Sequence, residues 1–121
     1  MKKGAYLLAK HVHDINSAED ETKSDERTTG RYGVIDANQF ENVTIAGHGI
    51  IDMSRLDLHE RNGMNFINGK NLTIKDVTLL NSGNWNIYVY RVEGITIDGV
   101  TILGSRINSD GINICNSKNA T

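Results

Sequence analysis

Asp110 is the side chain whose neighbours best suit it to chemistry. It stands in the stretch Arg106-Ile107-Asn108-Ser109-Asp110-Gly111-Ile112-Asn113-Ile114, where Asn, Ser and Gly mark a turn or the start of a strand. From Gly111 the residues alternate, with Ile112 and Ile114 on one face of a half-buried strand and Asn113 on the other. A carboxylate at the mouth of a strand, beside a groove, can activate water or donate a proton. A solvated turn aspartate is the alternative.

The second candidate group is aromatic. In Asn84-Trp85-Asn86-Ile87-Tyr88-Val89-Tyr90, residues 86, 88 and 90 share one strand face. Tyrosines exposed there would be amphipathic platforms for a polar ring, with Tyr88 the better binding candidate. The alternative is that Trp85 and one tyrosine fill the interior. His48 lies between Gly47 and Gly49, in what reads as a turn between two strands and not as a catalytic base. His11 and His13 are spaced to share a strand face, but no third or fourth ligand accompanies them, so no metal site is expected. Cys115 is the only cysteine. It cannot form an internal disulfide, no His-Asn pair is placed to activate it, and a buried, inert thiol is expected.

The elements that position these groups follow from composition and spacing. The chain has 121 residues, enough for one domain, with 38% hydrophobic residues, a net charge of −2 and a pI near 6.0. That balance gives no reason to expect nucleic acid or an anionic membrane as a partner, and no run reaches the length of a membrane span. Met1-Lys2-Lys3 is basic, but the apolar stretch from Ala5 to Ala9 is too short for a signal peptide and reads as a strand. Residues 16–31 carry almost no apolar side chains and read as an exposed polar loop. With 12 Gly and no Pro, turns must be built by Gly and Asn in left-handed conformations.

A repeat begins at residue 40. Its copies are Phe40 to Asp52, Ile67 to Leu80 and Arg91 to Gly104, and a fourth opens at Asn116 and stops at Thr121. Ile45, Ile74 and Ile97 are 29 and 23 residues apart, and Ile95 and Ala120 are 25 apart. Such periods, filled by short Val-, Ile- and Thr-rich strands between Asn or Gly, predict an all-β solenoid. A parallel β-helix with right-handed winding is expected, with residues 1–39 as an opening strand and polar loop. Residues 40–121 would form about three coils and the start of a fourth, as part of a longer domain. Asn42, Asn71, Gly94 and Asn119 occupy the turn before each first strand. The sequons Asn42-Val43-Thr44, Asn71-Leu72-Thr73 and Asn119-Ala120-Thr121 are therefore read as turn chemistry rather than glycosylation signals.

From Gly33 to Thr121 the sequence resembles glycoside hydrolase family 28, the polygalacturonases and their relatives. The matching stretches are Val43-Thr44-Ile45-Ala46-Gly47-His48-Gly49-Ile50-Ile51-Asp52, Asn81-Ser82-Gly83-Asn84-Trp85-Asn86-Ile87-Tyr88 and Asn108-Ser109-Asp110-Gly111-Ile112. The last is similar to the family's Asn-Thr-Asp-Gly motif, with Ser109 exchanged for Thr. The resemblance implies a pectin-lyase-like β-helix and inverting hydrolysis of pectic α-galacturonides. It makes Asp110 one of three catalytic carboxylates, and Asn108, Trp85 and Tyr88 are the expected substrate-binding residues beside it. It implies no cofactor and no metal, a pectic polysaccharide or oligosaccharide as partner, and a full-length monomer, in a family whose members are often secreted. The family's Asp-Asp pair, with its general acid, comes about one coil later, and its catalytic Gly-His-Gly and Arg-x-Lys motifs later still. Gly47-His48-Gly49 is not that motif, and Tyr88 stands where many relatives carry His. The chain is thus expected to be a hydrolase segment inactive by itself. The alternative is a non-catalytic carbohydrate-binding or structural β-helix segment.

Overall fold

The computed structural model describes residues 6–8, 33–57, 61–104, 106 and 109–121. The expected polar loop at 16–31 and the His11/His13 pair lie outside them. Nine strands follow one another along the described chain. They are β1 (Tyr6–Leu8), β2 (Gly33–Ala46), β3 (Ile50–Asp52), β4 (Asn62–Lys75), β5 (Thr78–Leu80), β6 (Ile87–Asp98), β7 (Thr101–Leu103), β8 (Ile112–Cys115) and β9 (Lys118–Ala120). All pairing is parallel, in a narrow sheet ordered β1-β3-β5-β7 and a wide sheet ordered β2-β4-β6-β8, with β9 also on β6. This is the all-β solenoid expected of the repeat, with about three turns.

Each long strand turns a corner, and the corner explains the Asn-rich composition. Gln39, Asn68, Arg91 and Asn116 have φ of 57°, 57°, 56° and 47°, and Asn42, Asn71 and Asn119 have 60°, 59° and 57°. Gly94 completes the second row at 81°. A side-chain amide tolerates this left-handed region better than most residues do. Stacked amides also bond to one another: Asn71 Nδ2 donates to Asn42 Oδ1 at 2.9 Å. All three sequon asparagines occupy this corner. Asp76 (φ 63°) stacks in a further turn row with Gly99, while Asp98 pairs with Lys75 at a strand end.

The core is a set of inward ladders. Ile35, Met64, Ile87 and Ile112 form one, and Ala37, Phe66, Val89 and Ile114 the next. Leu7, Ile51, Leu79 and Ile102 line the narrow sheet. The middle rungs are fully buried, as Phe66, Met64, Ile87, Ile51 and Leu79 show. Ile112 and Ile114 share the expected face but remain 42% and 40% exposed, because no described rung lies above them. Cys115 is exposed, not buried. Its register opposite Tyr90 puts it on the outer face of the last rung.

Candidate functional site

Asp110 sits in a corner that the chain builds from hydrogen bonds of its own. Ser109 Oγ accepts from the Arg106 N–H at 3.0 Å and donates to the Arg106 carbonyl at 2.7 Å. Arg106 Nη1 donates to the Asn81 carbonyl at 3.2 Å, tying the corner to the equivalent turn one coil below. Asn86 then holds the Asp110 carbonyl twice, through its backbone N–H at 2.8 Å and its Nδ2 at 3.0 Å. The Asp110 side chain is exposed, and Asn113 Nδ2 lies 3.4 Å from its Oδ2. The backbone is pinned while the carboxylate stays exposed, with only the long hydrogen bond from Asn113 on it, which is the condition for presenting an acid at a fixed point on the surface. Asn108, the fourth candidate of the sequence reading, lies outside the described residues.

The aromatic candidates come together on the rung below. The Trp85 and Tyr88 rings are 5.4 Å apart and tilted, and Tyr88 stacks on Tyr90 at 6.2 Å. The Arg91 guanidinium lies 5.0 Å from the centre of the Tyr90 ring, close enough for cation–π attraction. Tyr88 is only 3% exposed and Tyr90 7%. The open tyrosine platform expected of Tyr88 is therefore not present, and half-buried Trp85 is the more accessible ring.

Beneath these rings runs a polar network that sequence reasoning missed. Asn84 Nδ2 donates to Asn62 Oδ1 at 2.9 Å, and Asn62 Nδ2 donates to Asn65 Oδ1 at 2.8 Å. Ser82 Oγ donates to the Asn84 carbonyl at 2.7 Å, and the Trp85 carbonyl accepts from the Gly63 N–H at 2.9 Å. These bonds fix the turn that carries Trp85 and Asn86. Gly63 lies so close to the Asn86 carbonyl that a methyl group would collide with it.

The register also sets Asp36, Asn65, Tyr88 and Asn113 on one outward ladder. Partial burial pushes the Asp36 carboxyl up, opposed by the Gly33 N–H, the Asn65 side chain and the Arg61 guanidinium. Their spacings of 29, 23 and 25 residues equal those of the turn asparagines, so the ladder could have been found from the repeat.

Inverting hydrolysis needs two carboxylates roughly 6.5–9.5 Å apart. The outward positions on the rung below, opposite Gly111, Asn113 and Cys115, are Asn86, Tyr88 and Tyr90, none of them acidic. Asp36 is three rungs from Asn113, about 14 Å at the usual strand spacing. Asp52 belongs to the narrow sheet, where it accepts from the Tyr6 hydroxyl and from the Ser54 N–H at 2.9 Å. Those bonds, the Tyr6 hydroxyl first, hold its carboxyl below the usual range. His48 is exposed in its turn, 3.9 Å from Asp76. Among the described residues, no three of His, Cys, Asp and Glu cluster to hold a metal ion, and no helix is long and apolar enough to cross a membrane.

Fold and site together define a β-solenoid of about three turns, an architecture shared by hydrolases, lyases and proteins without catalytic activity. Compared with family models, with curated proteins and with solved structures, the chain gives no match.

Proposed function

We propose that this chain is the carbohydrate-facing part of a polygalacturonase-like glycoside hydrolase. Asp110 is its water-activating carboxylate, and Trp85 and Asn108 belong to the sugar-binding wall, with covered Tyr88 packed against Trp85. One observation carries the reading: the Asp110 carboxylate is exposed while Asn86 holds its carbonyl from two donors. The backbone bond continues the β6–β8 ladder, and the Nδ2 bond is added to it at the turn that carries the acid. The motif Asn108-Ser109-Asp110-Gly111, its distance from Trp85 and the solenoid fold support the same reading. The substrate is a pectic α-galacturonide, cleaved with inversion once a second carboxylate from another coil completes the pair.

The second reading is a non-catalytic carbohydrate-binding segment. It is favoured by the absence of an acid from Asn86, Tyr88 and Tyr90, the outward positions of the rung below the Asp110 strand. Reading the gene beyond codon 121 separates the two. An Asp-Asp pair about one coil further on supports the hydrolase, and a stop codon directly after Thr121 overturns it in favour of binding.

A further inference from the structure

Arg91 is the odd member of its row. Among the described residues nine other than glycine have a left-handed φ, and eight of them are Asn, Asp or Gln. Arg91, at φ 56°, is the ninth. It stands between Asn68 on the rung below and Asn116 on the rung above. Arginine has no short polar group to bond its own turn, so it holds this backbone at a cost that Asn would not incur. A residue kept in a conformation that disfavours it points to a role beyond the fold.

The side chain is exposed and held in place. Its guanidinium lies 5.0 Å from the centre of the Tyr90 ring, where cation–π attraction orients it. Among the described residues it has no hydrogen-bond or ion-pair partner. Its planar set of N–H donors therefore remains to grip a carboxylate. Two more exposed cations stand close by. Lys70 and Lys118 lie on the rungs below and above, with Glu93 between them. The corner segments 65–73, 88–96 and 113–121 thus hold Lys70, Arg91 and Lys118 against Glu93 alone. That is a basic patch on a chain whose net charge is −2.

The patch has a fixed relation to the candidate site. Trp85, Tyr88, Tyr90 and the Arg91 guanidinium follow one another at 5.4, 6.2 and 5.0 Å. Trp85, at the other end of this row, adjoins the Asp110 turn through Asn86. Six residues of strand separate Trp85 from Arg91, about 20 Å, so one sugar unit cannot touch both and a chain of several can. We propose that Arg91, with Lys70 and Lys118, is a second subsite, which binds the carboxylates of an acidic polysaccharide at a distance from Asp110. This subsite rests on the hydrolase reading and adds to it a demand for free carboxylates far from the bond that is cleaved. Tyr88 and Tyr90 are covered, so the contact is ionic rather than stacked, and added salt weakens it.

Calorimetric titration of the 121-residue chain with hexagalacturonate and with its methyl ester tests the subsite. The parent should bind the acid more tightly than the ester. Arg91→Asn should lower affinity for the acid roughly three- to tenfold and leave that for the ester within about twofold. Its melting temperature should equal or exceed that of the parent, since Asn68 and Asn116 hold the same corner. Lys70→Gln leaves the corner backbone alone and should lower affinity for the acid about twofold. It decides the matter if Arg91→Asn destabilises the chain. If both variants bind the acid as the parent does, the subsite is overturned; Asp110→Asn, still weaker than the parent, then leaves the hydrolase reading standing. A parent chain that binds neither hexamer overturns both.

Discussion

Asn86 grips the carbonyl of Asp110 from two sides, with its backbone N–H at 2.8 Å and its Nδ2 at 3.0 Å. The residues are 24 apart in sequence and one rung apart in space. The turn that presents the acid is thus set by the rung beneath it. Asn86 is 1% exposed, and its Oδ1 has no hydrogen-bond partner. The side chain is held there for what its Nδ2 donates, against the cost of a buried carbonyl oxygen left unpaired.

Asn86→Ala removes one bond to the Asp110 carbonyl together with that unpaired oxygen. The two effects oppose each other, so the stability loss should be about 1 kcal/mol or less. The local effect should be larger. Hydrogen exchange at the Ile87 amide, which donates to the Gly111 carbonyl at 3.0 Å, should speed up relative to Val89 in the same strand.

Gly63→Ala tests the close approach behind the site. The added methyl meets the Asn86 carbonyl, a backbone atom fixed by the Met64 N–H at 2.8 Å. The strands must separate, at a cost of about 1–3 kcal/mol. Urea unfolding should show this loss, and a variant as stable as the parent would mean that β4 and β6 are not in contact at this point.

Asp52 gives a pH dependence. Its carboxyl is held below the usual range, chiefly by the Tyr6 hydroxyl, so the folded chain binds a proton there less readily than the unfolded chain does. The resulting stability is present above the unfolded value of about 3.9 and is lost as pH falls through the lower folded value. The Tyr6 hydroxyl is in turn pushed up by its bond to Asp52, so its share persists until pH rises through the tyrosine range. Tyr6→Phe should therefore unfold at a lower temperature than the parent at pH 7. The two melting curves should converge in strong acid.

The described residues place one exposed carboxylate at the site and no acid at the outward positions of the rung below its strand. The 121-residue chain should therefore release no reducing ends from polygalacturonate. Release that disappears in Asp110→Asn would show that a second acid within this chain completes the pair.

The solenoid was legible because its repeat is carried by residues with few physical options. Asn42, Asn71, Gly94 and Asn119 must tolerate a left-handed backbone, and Ile45, Ile74 and Ile97 fill equivalent inward positions. Burial on the outer face was not legible. The alternation at Tyr88 and Cys115 assigns a face correctly but does not tell what neighbours that face, and Tyr88 proves covered while Cys115 is open. The Asn86 clamp could not be read at all, since one partner is a backbone carbonyl that carries no residue identity. The alternating row Glu41, Lys70, Glu93 and Lys118 was present in the repeat and emerges once the register is known.

The most direct test of the sugar-facing role of Asp110 uses Trp85, the only tryptophan in the chain and 5.4 Å from the Tyr88 ring. Its fluorescence, followed as trigalacturonate is added, reports sugar bound at the surface that carries Asp110 and Trp85. The account predicts a saturable change, with affinity about threefold or more weaker in Asp110→Asn, as expected for the loss of a charged hydrogen-bond acceptor. Fluorescence that stays constant at every sugar concentration, or binding that is identical in the two proteins, would contradict it.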